Sequence, residues 1–231
     1  MIKAFCGQVG EGKTLSMIHE VLPFLAHNYR LVTNTPFTKK NKKFVFQNIF
    51  KGITPFIEYW SKPVVLENIK DFFDDFITGE KTIYCLDEAE IWLENYSWEK
   101  VDKRIYSRFY QNRKLHIHLL YTTQFFKFVV PKLRSLTNEV VECSVPIRQP
   151  FYRPEQWDAY IKAPPLAVVQ IKYKPTFYEQ ASYSIEIEKK YILGRSVLWG
   201  GGLRQAMGAY DTEFFVHDER FDRKTDAFVL R

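Results

Sequence analysis

Short apolar runs alternate with segments of helical periodicity over the first 145 residues of the chain. Ile2 to Cys6 is an apolar run of strand length, and Lys13 to His27 carries apolar residues at a helical spacing. Leu31 and Val32 predict a second short strand. Thr82 to Leu86 predicts a buried parallel strand, because it is apolar throughout.

Two more strands complete this alternating pattern. His116 to Thr123 and Val140 to Val145 have strand character, and Pro146 is expected to end the second of them. Residues 66–78 and 99–113 have the periodicity of amphipathic helices. Strands that alternate with helices predict an α/β fold with a mostly parallel, doubly wound sheet flanked by helices.

The pattern changes beyond residue 150. Prolines interrupt the sequence, and residues 167–173 and 184–188 alternate as antiparallel strands do. We therefore expect residues 1–150 to form the core domain. Residues 151–231 are expected to form a strand-rich C-terminal extension that packs on this domain or continues it.

A glycine-rich motif follows the first predicted strand and leads into the first predicted helix. It matches G-x-x-x-x-G-K-[ST] with Gly7, Gln8, Val9, Gly10, Glu11, Gly12, Lys13 and Thr14. Glycines let successive backbone N–H groups point at phosphate oxygens, and the helix N-terminus also favours anions. In this motif Lys13 contacts the β- and γ-phosphates, and the hydroxyl of Thr14 binds Mg²⁺. The motif predicts a P-loop NTPase that binds ATP.

Two carboxylates, Asp87 and Glu88, follow the apolar strand that ends at Leu86. We expect Asp87 to hold Mg²⁺ through water and Glu88 to polarise the attacking water, which favours hydrolysis over binding alone. An ordinary solvated turn is the alternative for such a pair. The nearby Glu90 and Glu94 are interpreted as charges on a helix surface.

Other polar residues qualify as parts of the same site. Gln124 follows a strand whose end is expected beside the phosphate loop, where it would contact the γ-phosphate or the water; a simple polar strand end is the alternative. Arg113 and Arg134 flank this strand, and either could neutralise transition-state charge in a neighbouring subunit, although each alone is more often a surface residue. His116 and His118 are interpreted as structural.

Composition narrows the function classes only slightly. The chain has 231 residues, 46% of them hydrophobic, and a formal net charge of +6, which permits a polyanionic partner without requiring one. Cys6, Cys85 and Cys143 are too scattered for a disulfide framework or zinc cluster and are expected to be buried free thiols. No leader peptide and no membrane span are expected.

These motifs, together with Leu31-Val32-Thr33-Asn34, Gln111-Asn112-Arg113-Lys114 and Tyr121-Thr122-Thr123-Gln124, resemble the zonula occludens toxin-like ATPases of filamentous-phage assembly. With Leu133-Arg134 and Tyr210-Asp211-Thr212-Glu213, the chain is also similar to the genome-packaging ATPases of membrane-containing viruses. Both groups belong to the HerA–FtsK class of P-loop motors.

The resemblance implies a homo-oligomeric ring that moves DNA. It implies double-stranded DNA bound without sequence preference, a virion-vertex or assembly-complex protein as a partner, and a trans arginine that Arg134 matches first and Arg113 second. Filamentous-phage proteins of this type carry a membrane span that this sequence lacks, which favours a packaging motor. The expected location is the cytoplasm of the infected host cell or the virion, without secretion.

Basic clusters are candidate contacts to the DNA backbone. They are Lys39, Lys40, Lys42 and Lys43, then Lys103, Arg104 and Arg108, and later Lys172, Lys174, Lys189 and Lys190. For any one of these clusters taken alone, an ordinary solvated surface is the better explanation. Two other functions remain open. One is a nucleotide-gated assembly ATPase or scaffold that acts on protein partners at the membrane; the other is a small-molecule kinase, which the adjacent Glu88 disfavours.

Overall fold

A mostly parallel sheet forms the centre of the computed structural model. The structure describes residues 1–27, 29–34, 43–45, 56–58, 64–65, 69–78, 81–94, 103–148, 165–176, 178, 192–200, 203, 206–207, 221–222 and 227–228. The strands in this part of the chain are β1 (Ile2–Cys6), β2 (Arg30–Thr33), β3 (Lys43–Val45), β4 (Phe56–Glu58), β5 (Val64–Val65), β6 (Thr82–Leu86), β7 (His118–Thr123), β8 (Glu139–Arg148), β9 (Pro165–Tyr173), β10 (Ile192–Trp199), β11 (Phe221–Asp222) and β12 (Ala227–Phe228).

Eight of these strands form the sheet in the order β10-β9-β8-β1-β7-β6-β2-β5. The pairs from β8 to β5 are all parallel, whereas β9 and β10 continue the sheet with antiparallel pairing. The α/β fold predicted from the alternating pattern is therefore confirmed. Strands β9 and β10 come from the predicted C-terminal extension and share the sheet of the core, while the division at residue 150 stays a prediction.

Helices cover both faces of the sheet. They are α1 (Lys13–Ala26), α2 (Ile69–Thr78), α3 (Ala89–Glu94), α4 (Lys103–Gln111) and α5 (Pro131–Leu136). On one face, Met17 and Val21 of α1 pack with sheet residues such as Ile83. On the other, Phe76 of α2 and Phe109 of α4 pack in the cluster that contains the sheet residue Tyr84. The apolar runs of β1 and β6 are buried along their whole length because the sheet is covered on both sides.

A buried lysine joins α1 to the strand before it. The Lys3 Nζ lies 2.8 Å from Glu20 Oε1 of α1 and 2.9 Å from Glu139 Oε1 of β8. Burial opposes the charge of Lys3, but the two carboxylates outweigh it and raise the lysine pKa. These contacts tie α1, which begins directly after the glycine-rich loop, to strands β1 and β8 of the sheet.

Polar residues collect at the edge where the parallel strands end. Because β1, β7, β6 and β2 are neighbours and run in the same direction, the residues that follow them lie in a row at one edge of the sheet. These residues are Gly7, Gln124, Asp87 and Asn34. The strand order thus brings the phosphate-loop motif and the acidic pair to one place.

Two predictions about strands are wrong. Strand β8 does not end at Pro146; it runs to Arg148, with a register shift against β9 between Ser144 and Ile147 that accommodates the proline. Strand β7 begins at His118, because His116 has a positive φ of 52° and lies in a turn. The prediction of buried free thiols is confirmed, since all three cysteines are buried and unbridged.

Some predicted features lie outside the described residues. They are residues 99–102 of the predicted helix, the predicted strand at 184–188, Lys39, Lys40, Lys42, Lys189, Lys190 and the segment 210–213.

Candidate nucleotide-binding site

The loop between β1 and α1, which carries the predicted phosphate-binding motif, contains two glycines in a left-handed conformation. Gly10 and Gly12 have φ angles of 81° and 78°, in the left-handed region that glycine adopts without strain. Helix α1 starts at Lys13 without a side-chain cap and without an acidic residue in its first turn. Its first N–H groups therefore remain available to an anion. Lys13 Nζ donates a hydrogen bond to the Gln8 carbonyl oxygen at 2.9 Å.

Two glycines of this loop lie against neighbouring strands. A Cβ at Gly7 would lie 2.7 Å from the Cys143 carbonyl oxygen of β8. A Cβ at Gly12 would lie 2.7 Å from Cγ2 of Val168, which is a buried residue of β9. Strands β8 and β9 therefore lie directly against the loop, and only glycine fits at these two positions.

Changing Gly12 to alanine is expected to weaken ATP binding by at least about tenfold, because the new Cβ would displace the loop from Val168 and strain the backbone by about 1–2 kcal/mol. Gly194 is a suitable control, because a Cβ there meets nothing within 4 Å. Titration with a fluorescent ATP analogue would compare Gly12→Ala with Gly194→Ala. Equal affinities in the two variants would contradict this account of the loop.

Hydrogen bonds join the phosphate loop to the acidic strand end. The Thr14 hydroxyl donates to the Asp87 carboxylate, 2.9 Å from Oδ1 and 3.2 Å from Oδ2. The Thr122 hydroxyl of β7 donates to Asp87 Oδ1 at 2.6 Å. Burial raises the pKa of Asp87, while the bonds from Thr122 and Thr14 and the charge of Lys13 oppose that rise. The geometry thus brings together Lys13, Thr14 and Asp87.

The group at Thr14 and Asp87 fits Mg²⁺. Magnesium prefers oxygen ligands and is usually held by one or two carboxylates, waters and substrate phosphates. Thr14 supplies a hydroxyl and Asp87 a buried carboxylate beside the phosphate loop. A divalent cation at this point would offset the unfavourable burial of the Asp87 charge. These two residues are therefore the ones that would hold the metal ion.

Glu88 lies beside this group in an unusual backbone conformation. Its φ is 51°, a left-handed value that is uncommon for a residue with a side chain. The residue as a whole is exposed, yet the partial burial of its carboxyl group raises the pKa of that group. The charges of Asp87 and Glu90 raise this pKa further. Lys13 opposes this shift. A carboxylate of raised pKa at an open site suits a general base.

Gln124 is placed at the same edge, and its backbone is tied to the acidic segment. The Gln124 N–H donates to Glu90 Oε1 at 2.9 Å. The interpretation of Glu90 as a helix-surface charge is therefore wrong: the residue is half-buried and links the end of β7 to α3. The contact of Gln124 with phosphate or water stays a prediction.

Comparison with known proteins identifies the family of the chain. The family model described as zonular occludens toxin (Zot) matches residues 1–181. The chain belongs to the Zot family. No curated protein matches it closely enough to count as a relative.

The solved structures that are similar to this Zot-family chain include the following two. The N-terminal domain of zonular occludens toxin from Neisseria meningitidis is 14% identical, with 91% of this chain and 98% of that one covered and a TM-score of 0.49. The genome packaging NTPase B204 from Sulfolobus turreted icosahedral virus 2, in complex with AMPPCP, is 18% identical. That match covers 76% of this chain and 92% of that one, with a TM-score of 0.43.

The two candidate trans arginines of the Zot-family chain lie in different elements. Arg113 is exposed in the turn before β7, at the amino end of the strands, where burial and the charge of Arg113 lower the pKa of the Met1 amine to about 6. Arg134 is half-buried in α5, and its positive charge opposes the rise that burial causes in the pKa of the Tyr121 hydroxyl. The role of either arginine in a neighbouring subunit stays a prediction.

The two histidines near β7 lie at its amino end. His118 packs against the rings of Phe24 and Tyr29, with centroid distances of 4.4 and 5.3 Å. Within the described residues, no group of three or more His, Cys, Asp or Glu side chains is placed to hold a metal ion. None of the described helices of the Zot-family chain is both long and apolar enough to cross a membrane.

Sequence reasoning missed two polar residues of the site, Asn34 and Thr122. Both were noted only within longer segments of the resemblance, yet each bonds directly to the acidic pair. One signal was present in the sequence: each is a polar residue at the carboxyl end of a strand otherwise rich in apolar residues. The strand order was needed to show that β2 and β7 flank β6.

Proposed function

We propose that this chain is a viral ATPase that binds ATP with Mg²⁺ and uses its hydrolysis to translocate or package DNA during virion assembly. The contact of Thr14 and Thr122 with Asp87 carries this proposal, because it joins a phosphate loop to a buried acidic residue. The exposed Glu88 beside this contact supports hydrolysis, and membership of the Zot family supports the setting in a virus.

Each residue of the site has a distinct chemical task in this proposal. Lys13 leaves the Gln8 carbonyl and binds the β- and γ-phosphates, together with the N–H groups of the loop. Glu88 accepts a proton from water, whose oxygen bonds to the γ-phosphorus as the bond to the bridging oxygen of ADP breaks. Gln124 orients this water or the γ-phosphate. Thr14 and Asp87 would hold Mg²⁺, which would neutralise phosphate charge.

The proposed assembly is a homo-oligomeric ring that encloses double-stranded DNA. An arginine from the neighbouring subunit would stabilise the transition state, with Arg134 as the first candidate and Arg113 as the second. Arg104 and Lys174, which are exposed, are the proposed contacts to the DNA backbone, while Arg108 and Lys172 are half-buried. A vertex or assembly protein would dock this ring in the host cytoplasm or on the virion.

An assembly ATPase that acts on protein partners without moving DNA is a second candidate. Apolar side chains on the edge strand β10 favour it, since Leu193, Val197 and Trp199 are 50%, 54% and 71% exposed. Exposed apolar side chains clustered on one strand are a feature of protein interaction sites. The two candidates share the nucleotide site and differ in what stimulates it.

Phosphate release from ATP, with and without double-stranded DNA, separates the two functions. For the motor we expect turnover that requires Mg²⁺, rises with DNA of any sequence, and loses this stimulation as salt increases. The Lys13→Ala variant, measured beside the wild-type protein, excludes a contaminating ATPase. Hydrolysis that is unaffected by DNA at low salt would contradict the motor and favour the protein-directed ATPase.

A further inference from the structure

The peptide unit that joins Asp87 to Glu88 is held on both sides by side chains of neighbouring strands. Its carbonyl oxygen, that of Asp87, accepts a hydrogen bond from Asn34 Nδ2 at 2.8 Å. Its N–H, that of Glu88, donates to Thr122 Oγ1 at 2.8 Å. Asn34 follows β2 and Thr122 lies in β7, the two strands that flank β6. The peptide plane is therefore fixed from both directions.

Asn34 makes a second bond to the same residue. Its Oδ1 accepts from the Asp87 N–H at 2.8 Å, so one amide group contacts both the N–H and the C=O of Asp87. The pairing of β2 with β6 ends at Thr33 and Cys85, and the buried Asn34 side chain continues it in place of a backbone. An aspartate at this position could accept the bond from the Asp87 N–H but could not donate a bond to the Asp87 carbonyl oxygen.

Thr122 uses its single hydroxyl in two ways. The hydroxyl donates its proton to Asp87 Oδ1 at 2.6 Å and accepts the Glu88 N–H. It therefore couples the carboxylate that would hold Mg²⁺ to the backbone of the proposed base. A valine of nearly the same shape could make neither bond, whereas a serine could make both.

These bonds explain how Glu88 keeps its left-handed backbone. A φ of 51° is uncommon at a residue with a side chain, and such a conformation persists only where the surroundings determine it. Without the bonds from Asn34 and Thr122, the peptide unit could rotate toward an unstrained conformation. That rotation would swing the Glu88 side chain away from its present direction.

We propose that Asn34 and Thr122 are positioning residues that lock the Asp87–Glu88 peptide unit and thereby aim the Glu88 carboxylate at the attacking water. This inference rests on the proposed ATPase function, since it assigns Glu88 the role of base. Neither residue touches the substrate in this account; each acts through the backbone of the acidic pair. A displacement of about 1 Å at a reacting group can lower a rate by about a hundredfold.

Steady-state hydrolysis of ATP tests the proposal with the variants Asn34→Leu, Thr122→Val and Thr122→Ser. We expect kcat to fall by about 10- to 100-fold in Asn34→Leu and Thr122→Val, with a KM for ATP close to that of the wild-type protein. Thr122→Ser is expected to retain most of the wild-type kcat, because serine keeps the hydroxyl group. Circular dichroism and thermal unfolding would show that each variant is folded at the assay temperature.

Matched controls at the opposite end of the sheet separate positioning from stability. Asn138→Ala removes an amide oxygen that accepts the Ile2 N–H at 2.8 Å, and Thr137→Val removes a buried hydroxyl that donates to the Leu133 carbonyl oxygen at 2.9 Å. Both changes are expected to lower the melting temperature while kcat stays near the wild-type value. A role of Asn34 and Thr122 in stability alone would give all four variants the same behaviour.

Hydrogen exchange of the Asp87 and Glu88 amides provides a readout that does not require activity. Protection of the Glu88 amide is expected to fall by at least about tenfold in Thr122→Val and to stay near the wild-type level in Thr122→Ser. Protection of the Asp87 amide is expected to fall in Asn34→Leu. If the variants show these changes in protection but the wild-type protein does not hydrolyse ATP, the proposed function is refuted, while the bonds that hold the Asp87–Glu88 peptide unit are supported. Unchanged exchange, or an unchanged kcat in folded Asn34→Leu and Thr122→Val, would overturn the lock.

Discussion

Replacing Lys13 with alanine is expected to lower kcat/KM for ATP hydrolysis by at least about a thousandfold. Lys13 is the first residue of α1, directly after the left-handed Gly12, so its side chain starts at the point where the phosphate loop joins the helix. One preorganised charged or hydrogen-bonding group at developing negative charge accounts for about 10²–10³ in kcat. The loss of ground-state binding to the β- and γ-phosphates adds to this effect.

One feature of the structure makes this loss specific to the nucleotide. The Lys13 ammonium group bonds only to the Gln8 carbonyl oxygen among the contacts that the structure describes, so its removal disturbs little of the fold. We expect the melting temperature of Lys13→Ala without nucleotide to stay near that of the wild-type protein. Stabilisation by added ATP is expected to disappear, because a ligand raises stability only where it binds the folded state.

Lys81→Ala is the matched control for this change. Lys81 is an exposed lysine just before β6, at the end of that strand opposite to Asp87. Its replacement removes the same charge without touching the site. Phosphate release and thermal shift with ATP, measured for both variants, decide the matter: wild-type turnover in Lys13→Ala, or an equal loss in Lys81→Ala, would contradict the role of the loop lysine.

The sequence alone was sufficient to predict the α/β fold. It was also sufficient to predict that the glycine-rich phosphate motif and the acidic pair lie close together. Strands β1 and β6 are buried on both faces, so they are apolar at every position but one or two and stand out from their surroundings. The glycines of the loop and the Lys13-Thr14 pair are adjacent in sequence, and their chemistry can be read locally. Asp87 could be joined to them because parallel strands end at one edge.

Other features depend on tertiary contacts that no local pattern encodes. Strand β10 was not predicted, because its sequence, ILGRSVLW, has no regular alternation of apolar and polar residues, and the apolar Leu193, Val197 and Trp199 are exposed at the edge of the sheet. Pro146 suggested a strand end, but the irregular pairing with β9 tolerates it. The contacts of Asn34 and Glu90 follow from the strand order and from the conformation of the turn after β6, neither of which can be read from single residues.

Replacing Glu88 with glutamine is expected to lower kcat by about 10²–10⁴-fold while ATP binding is retained. Glutamine keeps the size of the side chain and the Glu88 N–H that bonds to Thr122, so the left-handed backbone is preserved. What is lost is the ability to accept a proton from water. Because a negative charge beside the phosphates is also removed, the affinity for ATP is expected to be equal or higher, in contrast with Lys13→Ala.

Glu90→Gln distinguishes loss of the base from loss of a nearby charge. The glutamine keeps an oxygen that accepts the Gln124 N–H, but it removes a charge that raises the pKa of Glu88. We therefore expect Glu90→Gln to hydrolyse ATP and to retain its activity to lower pH than the wild-type protein, because a Glu88 of lower pKa stays ionised there. Measured across pH, this profile would identify Glu88 as the group that must be deprotonated. A Glu90→Gln variant as inactive as Glu88→Gln would instead show that the two carboxylates act as a single charged group and that Glu88 alone is not the base.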